Sequence, residues 1–249
     1  MKLGKGIELK DTHLNTARNR IALVGIELEG GWERLPKGAE VTRDTSVQFP
    51  IPIPHVGEIV SRPLELAEYP KWLKQFYPHH VNDRCGMHVH MSFKTALTYS
   101  RLMDAKYPAT IVRYIRRWAE AEGLGMDHPI WPRLDGKSEY CQHVYQAEDQ
   151  VFSTRKEYDH HARGHRYTVV GYPWGRHQTV EARLLPMMAD AAQAEQAIKE
   201  VLRITNAYLV ATAKKDEKIR GVVDLDPSET TEVHEINLTP RTERRVIRS

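Results

Sequence analysis

The sequence predicts an α+β fold built on a mostly antiparallel β-sheet, with helices packed against one face of that sheet. Candidate strands come first, a helical region lies in the middle, and a hairpin and a long helix follow. Several strands therefore succeed one another without intervening helices, whereas a doubly wound parallel sheet alternates strands with helices. With 249 residues, of which 41% are hydrophobic, the chain can bury the core of one such domain.

Three of the predicted strands share one design, in which polar and apolar side chains alternate. Because successive side chains of a strand point to opposite faces, each of these strands offers an apolar face to a core and a polar face to a cleft. The polar residues are His88, His90 and Ser92 in residues 86–92, Glu27 and Glu29 in residues 25–30, and Glu181 and Arg183 in residues 179–184.

The other elements follow from apolar periodicity and from the positions of glycine and proline. We expect one domain over residues 1–215, followed by a polar, extended arm over residues 216–249. The predicted elements are a first strand at 21–30, a second strand at 57–61 carrying Glu58, helical residues 64–77 interrupted at Pro70, helical residues 96–122 with a junction at Pro108, an irregular region at 123–165, a strand at 166–171, the Glu181 strand that completes a hairpin, and a long helix at 189–215.

Composition excludes several classes of protein. The formal net charge of +3 is small for this length and does not by itself indicate a nucleic-acid or membrane partner. Charged or polar residues interrupt every apolar run before it reaches the roughly 18 residues of a spanning helix. The polar N-terminus lacks a secretory core, so we expect a cytoplasmic protein in which Cys85 and Cys141 are free thiols.

The polar faces together predict a site for divalent metal ions. On one face of an antiparallel sheet, four carboxylates and an imidazole can meet, and such crowding requires cations to offset the repulsion. This donor set suits Mg²⁺ or Mn²⁺ better than structural zinc, and Arg166 and Arg183 add planar donors for phosphate oxygens. The predicted metal ligands are Glu27, Glu29, Glu58, His88 and Glu181.

These segments resemble known enzymes. Residues 86–92, Gly-Met-His-Val-His-Met-Ser, look like a segment of glutamine synthetases, and residues 180–184 are similar to the late Glu-x-Arg strand of those enzymes. The whole order of motifs between residues 25 and 183 resembles the amidoligase family of the glutamine synthetase-like carboxylate-amine ligase superfamily. Those motifs are Gly-Ile-Glu-x-Glu, Asp-x-Ser, Gly-Glu-Ile-Val-Ser-x-Pro, Cys-Gly-x-His-Val-His, Arg-Tyr and Thr-Val-Glu-x-Arg.

The resemblance implies a curved antiparallel half-barrel with helices on its outer face, which binds ATP and two or three Mg²⁺ ions. It also implies the formation of an amide from a carboxylate and an amine through an acyl phosphate. By the same resemblance, His90 and Ser92 would face the nucleotide phosphates, Arg166 and Arg183 the transferred phosphate, and Asp44 the amine. The chain departs from the family at Val170-Gly171, where the family commonly has Leu-Asn.

Several alternatives remain open. The Glu-x-Glu and His-x-His pairs are each common outside metal sites, the Glu-x-Arg pair is also typical of a salt bridge, and Asp44 is also typical of a turn cap. A degenerate relative would bind nucleotide or nucleic acid without catalysis, using Arg113, Arg116, Arg117 and the basic residues 241–248. A metal hydrolase would use His88, His90 and a carboxylate.

The substrates are less defined than the reaction. The sequence does not identify the carboxylate or the amine, and a homo-oligomer is compatible with it, although the ring assembly of large synthetases is not implied. We interpret the long irregular region at 123–165 as a substrate cover. The aromatic residues in and beside that region are Tyr140, Tyr145, Tyr158 and Trp174.

Overall fold

The computed structural model describes residues 21–94, 101–104, 106–143, 167–173 and 178–222, with side chains up to residue 212. Within these ranges the elements are β1 (Ile21–Trp32), β2 (His55–Val60), α1 (Tyr69–Phe76), β3 (Gly86–Phe93), α2 (Lys106–Ala121), α3 (Ile130–Leu134), β4 (Val170–Gly171), β5 (Thr179–Pro186) and α4 (Ala191–Val222).

The five strands form one open sheet in the order β2-β1-β3-β5-β4, and every neighbouring pair is antiparallel. The predicted hairpin is present, because β4 pairs with β5. The α+β class with a mostly antiparallel sheet is therefore confirmed. The central position of β1 and β3 brings strands from distant parts of the sequence side by side.

The alternation of polar and apolar residues has the predicted structural effect. The apolar residues of all three strands are completely buried on one face of the sheet and join a single hydrophobic core with residues of α1, α2 and α4. These strand residues are Ile26, Leu28, Met87, Val89, Met91, Val180, Ala182 and Leu184. The polar face of the same strands consequently turns away from the core.

The long helix α4 packs through the apolar stripe that the sequence predicts. Ala194, Ala197 and Ile198 on this stripe are fully buried. The hydroxyl of Tyr107 on α2 shares a 2.7 Å hydrogen bond with the hydroxyl of Thr205 on α4, inside the core. The helices are thereby fastened to one another as well as to the sheet.

The two prolines that we expected to interrupt helices each lie in a first helical turn. Pro70 lies in the first turn of α1 and does not split a helix that spans residues 64–77. Pro108 lies in the first turn of α2; residues 101–102 are also helical, so the expected junction between helices is present, but at residues 103–104, shortly before the proline. In both cases the reason is the same, since residues of the first turn have no intrahelical acceptor for the N–H that proline lacks.

Other predicted bounds also differ, and the strand predicted at 166–171 is only the two residues of β4 among those described. The region 123–165 contains the short helix α3, which was not predicted. Helix α4 continues to Val222, beyond the predicted end at residue 215, because the charged residues that follow are mostly good helix formers. Residues 1–20, 144–166 and 223–249 lie outside the described residues, and so do most of the predicted cover and most of the predicted arm. Among the helices described, none has both the length and the apolar character that a bilayer span requires.

Candidate functional site

The polar face of the sheet gathers charged side chains from four strands. The register places Glu27 of β1 opposite His88 of β3, and His90 of β3 opposite Glu181 of β5. On the other side of β1, Glu29 lies opposite Glu58 of β2. All five predicted metal ligands therefore share one face of the sheet. His90 and Arg183 lie on the same face.

The centre of the group is a triad formed by Glu27, His88 and Glu181. One potential ligand atom from each lies within 4.8 Å of the others. Nδ1 of His88 is 2.7 Å from Oε1 of Glu27 and 3.4 Å from Oε1 of Glu181. His88 and Glu181 are buried, so the triad is withdrawn from bulk water.

The second imidazole, that of His90, lies beside the same carboxylates. Nε2 of His90 is 3.7 Å from Oε2 of Glu27 and 3.8 Å from Oε1 of Glu181. Nδ1 of His90 is 3.2 Å from the hydroxyl of Thr179, the residue that precedes Glu181 by two positions on the same face of β5. This contact orients the ring so that Nε2 faces the two carboxylates.

Glu29 lies on the side of the site that is nearer to β2. Oε1 of Glu29 is 3.8 Å from Nε2 of His88, and Oε2 accepts a 2.5 Å hydrogen bond from the main-chain N–H of Gly86. A Cβ on residue 86 would lie 3.0 Å from both Glu29 and His88. A glycine at this position therefore lets the carboxylate approach the strand.

A β-bulge lies in the middle of the site. Between β3 and β5 the register shifts, so that the single residue His88 faces two residues, Arg183 and Leu184. Such a bulge redirects side chains and increases the local twist of the strand. Arg183 turns toward Glu181, to which its Nη1 donates a short hydrogen bond, and its side chain is only 12% exposed.

Crowding of the carboxylates changes their protonation. Burial, reinforced by the negative charge of Glu27, raises the pKa of Glu58 to about 8. Glu58 therefore retains its proton at neutral pH. This agrees with the expectation that four carboxylates cannot all be ionised together without additional cations.

The triad carboxylates respond in the opposite direction. Burial alone would raise the pKa of Glu27, but the charge and hydrogen bond of His88 outweigh it and hold the pKa well below its usual range. For Glu181, burial is likewise outweighed, mainly by the charge of Arg183, and its pKa is lowered. Both groups are ionised at neutral pH and are available as ligands for a cation.

Asp44 and Ser92, two other predicted site residues, lie at the periphery. Oδ1 of Asp44 accepts hydrogen bonds from the N–H (2.8 Å) and the hydroxyl (2.7 Å) of Ser46, which is the turn cap that we considered as the alternative. Asp44 is nevertheless close enough to Glu58 to contribute to its raised pKa. Ser92 lies farther along β3, where its hydroxyl contacts the carbonyl of Leu23 at 3.4 Å. Arg166 lies outside the described residues.

Sequence reasoning missed Thr179, Gly86, Gly171 and Arg133. Thr179 could have been found, since it precedes Glu181 by two positions and must share its face. The contacts of Gly86 and Gly171 depend on side chains from neighbouring strands, and Arg133 comes from the unpredicted helix α3, so local sequence carries no signal for them. A Cβ at Gly171 would lie 2.9 Å from Oε2 of Glu181.

Cys85, which directly precedes the site strand, is not a nucleophile. Its thiol is fully buried, and burial raises its pKa to about 11. At neutral pH the group is therefore a protonated thiol with little nucleophilic character. This agrees with the interpretation of Cys85 as a small core residue.

The donor set of the triad fits a hard divalent cation. Ligand atoms around a Mg²⁺ ion at about 2.1 Å lie roughly 3 to 4 Å apart, so the triad would need to contract only slightly to share one ion. The two ionised carboxylates supply negative charge, and the imidazole supplies a neutral nitrogen donor. Comparisons with protein-family models, with curated proteins and with solved structures find no match to this chain.

Proposed function

We propose that this protein is an ATP- and Mg²⁺-dependent carboxylate-amine ligase. The observation that carries the proposal is the contact between Arg183 and Glu181, within a triad that fits a divalent cation. A guanidinium beside a metal site provides two kinds of positive charge at one point, and phosphoryl transfer depends on such charge neutralisation.

The metal would be held by Glu27, His88 and Glu181, with Glu29 and Glu58 available for a second ion. Mn²⁺ could replace Mg²⁺, because both prefer carboxylate oxygens. When bound, the ions would neutralise phosphate oxygens of ATP. The raised pKa of Glu58 supports this assignment, because burial and the nearby charge of Glu27 disfavour its ionised form when no cation is bound.

In the proposed reaction, a carboxylate oxygen of one substrate attacks the γ-phosphorus of ATP. The bond from phosphorus to the bridging oxygen breaks, and ADP leaves. The amine nitrogen then attacks the acyl carbon, phosphate departs with the carbon–oxygen electron pair, and the nitrogen loses a proton. Phosphorylation is needed because a free carboxylate has no good leaving group.

The chain's own residues would position and neutralise the reactants. We assign His90, Ser92 and Arg183 to the phosphates, and we assign Arg166 to the transferred phosphate from the sequence motif alone. His90 suits this role, because the carboxylates of Glu181 and Glu27 together outweigh burial and raise its pKa. Asp44 would receive the amine and accept its proton, using the carboxylate oxygen that does not contact Ser46.

The proposal extends to the finer points of the fold. We propose that the open five-stranded sheet is the half-barrel of a glutamine synthetase-like catalytic domain, with the polar face inside. The antiparallel order and the burial of the opposite face support this. We also retain as proposals a cytoplasmic location, a small or macromolecular pair of substrates and a homo-oligomeric state.

The test is the release of ADP from ATP and Mg²⁺ in the presence of mixtures of carboxylates, amino acids and amines. We expect E181Q and E29Q to lower ADP formation at least about 100-fold, because each removes a charge that positions the metal. The control is E68Q, which removes a carboxylate that pairs with Arg62 on the surface. Full activity in E181Q or E29Q would contradict the site assignment.

A metal hydrolase is the second candidate, because both imidazoles lie within 3.8 Å of the carboxylates of Glu27 and Glu181. A zinc ion held by two histidines and one carboxylate would activate water. The same assay separates the candidates. Hydrolysis of added esters or amides without ATP would favour the hydrolase, whereas nucleotide binding without turnover would favour a non-catalytic relative.

A further inference from the structure

Arg133 on α3 is an arginine that the core encloses almost completely. Only 2% of it is exposed. Its Nη1 donates to the carbonyl of Arg183 at 3.3 Å, and its Nη2 donates to the carbonyl of Cys85 at 3.4 Å. It forms no ion pair with any carboxylate among the residues that the structure describes.

The burial of an arginine is energetically unfavourable. Burying a guanidinium without a paired carboxylate costs far more than burying an aliphatic side chain of similar volume. Burial accordingly lowers the pKa of Arg133 from its ordinary value. Both hydrogen bonds are long, so their strength alone does not offset this cost. The negative charge of Glu29 counteracts part of this lowering of the pKa, which links Arg133 to the neighbouring site.

The two carbonyls that Arg133 contacts belong to the residue before β3 and to a residue of β5, and both strands carry site residues. Cys85 precedes Gly86, whose N–H holds Glu29. Arg183 belongs to the bulge of β5 and contacts Glu181 through its own side chain. Arg133 therefore bridges β3 and β5 at the point where the bulge interrupts their regular pairing.

The space beneath Gly86 shows how closely these groups approach. A Cβ on residue 86 would lie 3.0 Å from Oε2 of Glu29, 3.0 Å from Nε2 of His88 and 3.3 Å from Nη1 of Arg133. Residue 86 shares a face of β3 with His88 and His90, so this Cβ would point toward the polar face. The guanidinium therefore lies beside Glu29 and His88, at the buried end of that face.

We propose that Arg133 is a positioning residue, which holds the start of β3 and the bulge of β5 at the spacing that lets Glu29 and Arg183 act on one ligand. This inference rests on the proposed function of the same site. Arg133 contacts neither metal nor substrate in this role. It acts through the main chain of Arg183 and of Cys85.

The test uses the full chain with the substitutions R133M and R133K, and with R116M as the matched control. Arg116 fastens α3 from the outside, since it donates to the carbonyl of Leu134 at 3.0 Å and to the carboxylate of Asp135 at 2.5 Å. Each variant is first examined by circular dichroism and urea unfolding. Binding of Mn²⁺ alone is then measured by electron paramagnetic resonance, and ADP release is measured over a range of ATP concentrations.

Three possible roles for Arg133 predict different changes in Mn²⁺ affinity when the arginine is replaced. Removal of a nearby positive charge, taken alone, should tighten Mn²⁺ binding. A purely structural arginine should change stability but not the Mn²⁺ affinity of the folded protein. A positioning residue should weaken Mn²⁺ binding, and we expect about tenfold weaker binding in R133M, with no change in R116M, because small misplacements of ligands have large effects.

Catalysis supplies a second readout. We expect kcat for ADP release to fall about 100-fold in R133M while KM for ATP changes less than about threefold, and R133K to recover part of the loss. Tighter or unchanged Mn²⁺ binding in folded R133M would overturn the proposal. Failure of both variants to fold, or an unfolded R133M beside a fully active R133K, would also overturn it, because the arginine would then be structural.

The failure of this inference is distinguishable from that of the proposed function. If the wild-type protein releases no ADP with any substrate mixture, the ligase proposal fails. The Mn²⁺ titration still decides the role of Arg133 in that case, because metal binding requires no turnover.

Discussion

At the scale of single residues, the site is a balance between crowded acids and a few fixed cations. Glu27 and Glu181 are ionised because His88 and Arg183 lie beside them. Among the residues that the structure describes, Glu58 has no cation beside it, and burial raises its pKa to about 8. A proton on Glu58 therefore neutralises part of the negative charge of the site, and a bound divalent cation would displace that proton.

This balance predicts how the stability of the metal-free protein depends on pH. A carboxyl group with a raised folded-state pKa binds more protons in the folded than in the unfolded protein between about pH 4.5 and pH 8. The free energy of unfolding should therefore fall as pH rises through that range in the presence of EDTA. In E58Q we expect this fall to be smaller than in the wild type. The difference between the two slopes should be about 1 kcal/mol per pH unit or less, because Glu58 is partly exposed.

The measurement is urea unfolding of both proteins at pH 5, 6, 7 and 8. E58Q should retain part of the slope, because the raised pKa of His90 also contributes stability that is lost as pH increases. Identical slopes for E58Q and the wild type would contradict the assignment of the proton to Glu58.

Much of the residue-level site could be predicted from alternation within strands. A period of two assigns His88, His90 and Ser92 to one face without any knowledge of their neighbours. What could not be predicted is which distant groups support them. Thr179 orients His90, and Arg133 lies beside Glu29, only because the fold brings separate elements together.

At the scale of elements, the short strand β4 contributes through the absence of a side chain. Gly171 lies opposite Glu181, and a Cβ there would come within 2.9 Å of Oε2 of Glu181. In place of the Leu-Asn pair of the resembling family, this chain has Val170-Gly171. The glycine leaves room beside β4 for the carboxylate of Glu181, which is part of the triad.

We therefore expect G171A to displace Glu181 and to weaken Mn²⁺ binding about tenfold, since ligand placement tolerates little error. Stability should change little, because alanine in a strand offsets some strain by restricting the unfolded chain. Mn²⁺ titration and urea unfolding measure the two effects. If the effect acts through Glu181, the double variant G171A/E181Q should bind no more weakly than E181Q. Additive losses would contradict that mechanism.

Element boundaries could be predicted less well than element types. The strands, the hairpin and the long helix follow from periodicity. Pro70, which we expected to interrupt a helix, occupies a first helical turn, and the junction expected at Pro108 lies at residues 103–104. A proline has the same local preference in both situations, so only packing decides between them. The bulge opposite His88 likewise depends on how two strands pair, and no single strand encodes it.

At the scale of the whole molecule, the site depends on the complete sheet. Its carboxylates and imidazoles come from β1, β2, β3 and β5, and Glu27 and Glu181 are separated by more than 150 positions in the chain. The unfolded chain cannot bring these ligands together. A cation that binds the triad therefore binds the folded protein almost exclusively, and its binding energy adds to the stability of the fold.

Mg²⁺ should consequently raise the melting temperature of the entire domain. At a Mg²⁺ concentration of 100 times Kd, the added stability is about 2.7 kcal/mol, which corresponds to a rise of roughly 5 to 10 °C for a domain of this size. Differential scanning calorimetry measures the shift, with NaCl at equal ionic strength as the control for screening. E27Q removes one ligand of the triad and should lose most of the shift. An equal shift with NaCl, or an undiminished one in E27Q, would show that Mg²⁺ acts elsewhere than at the triad.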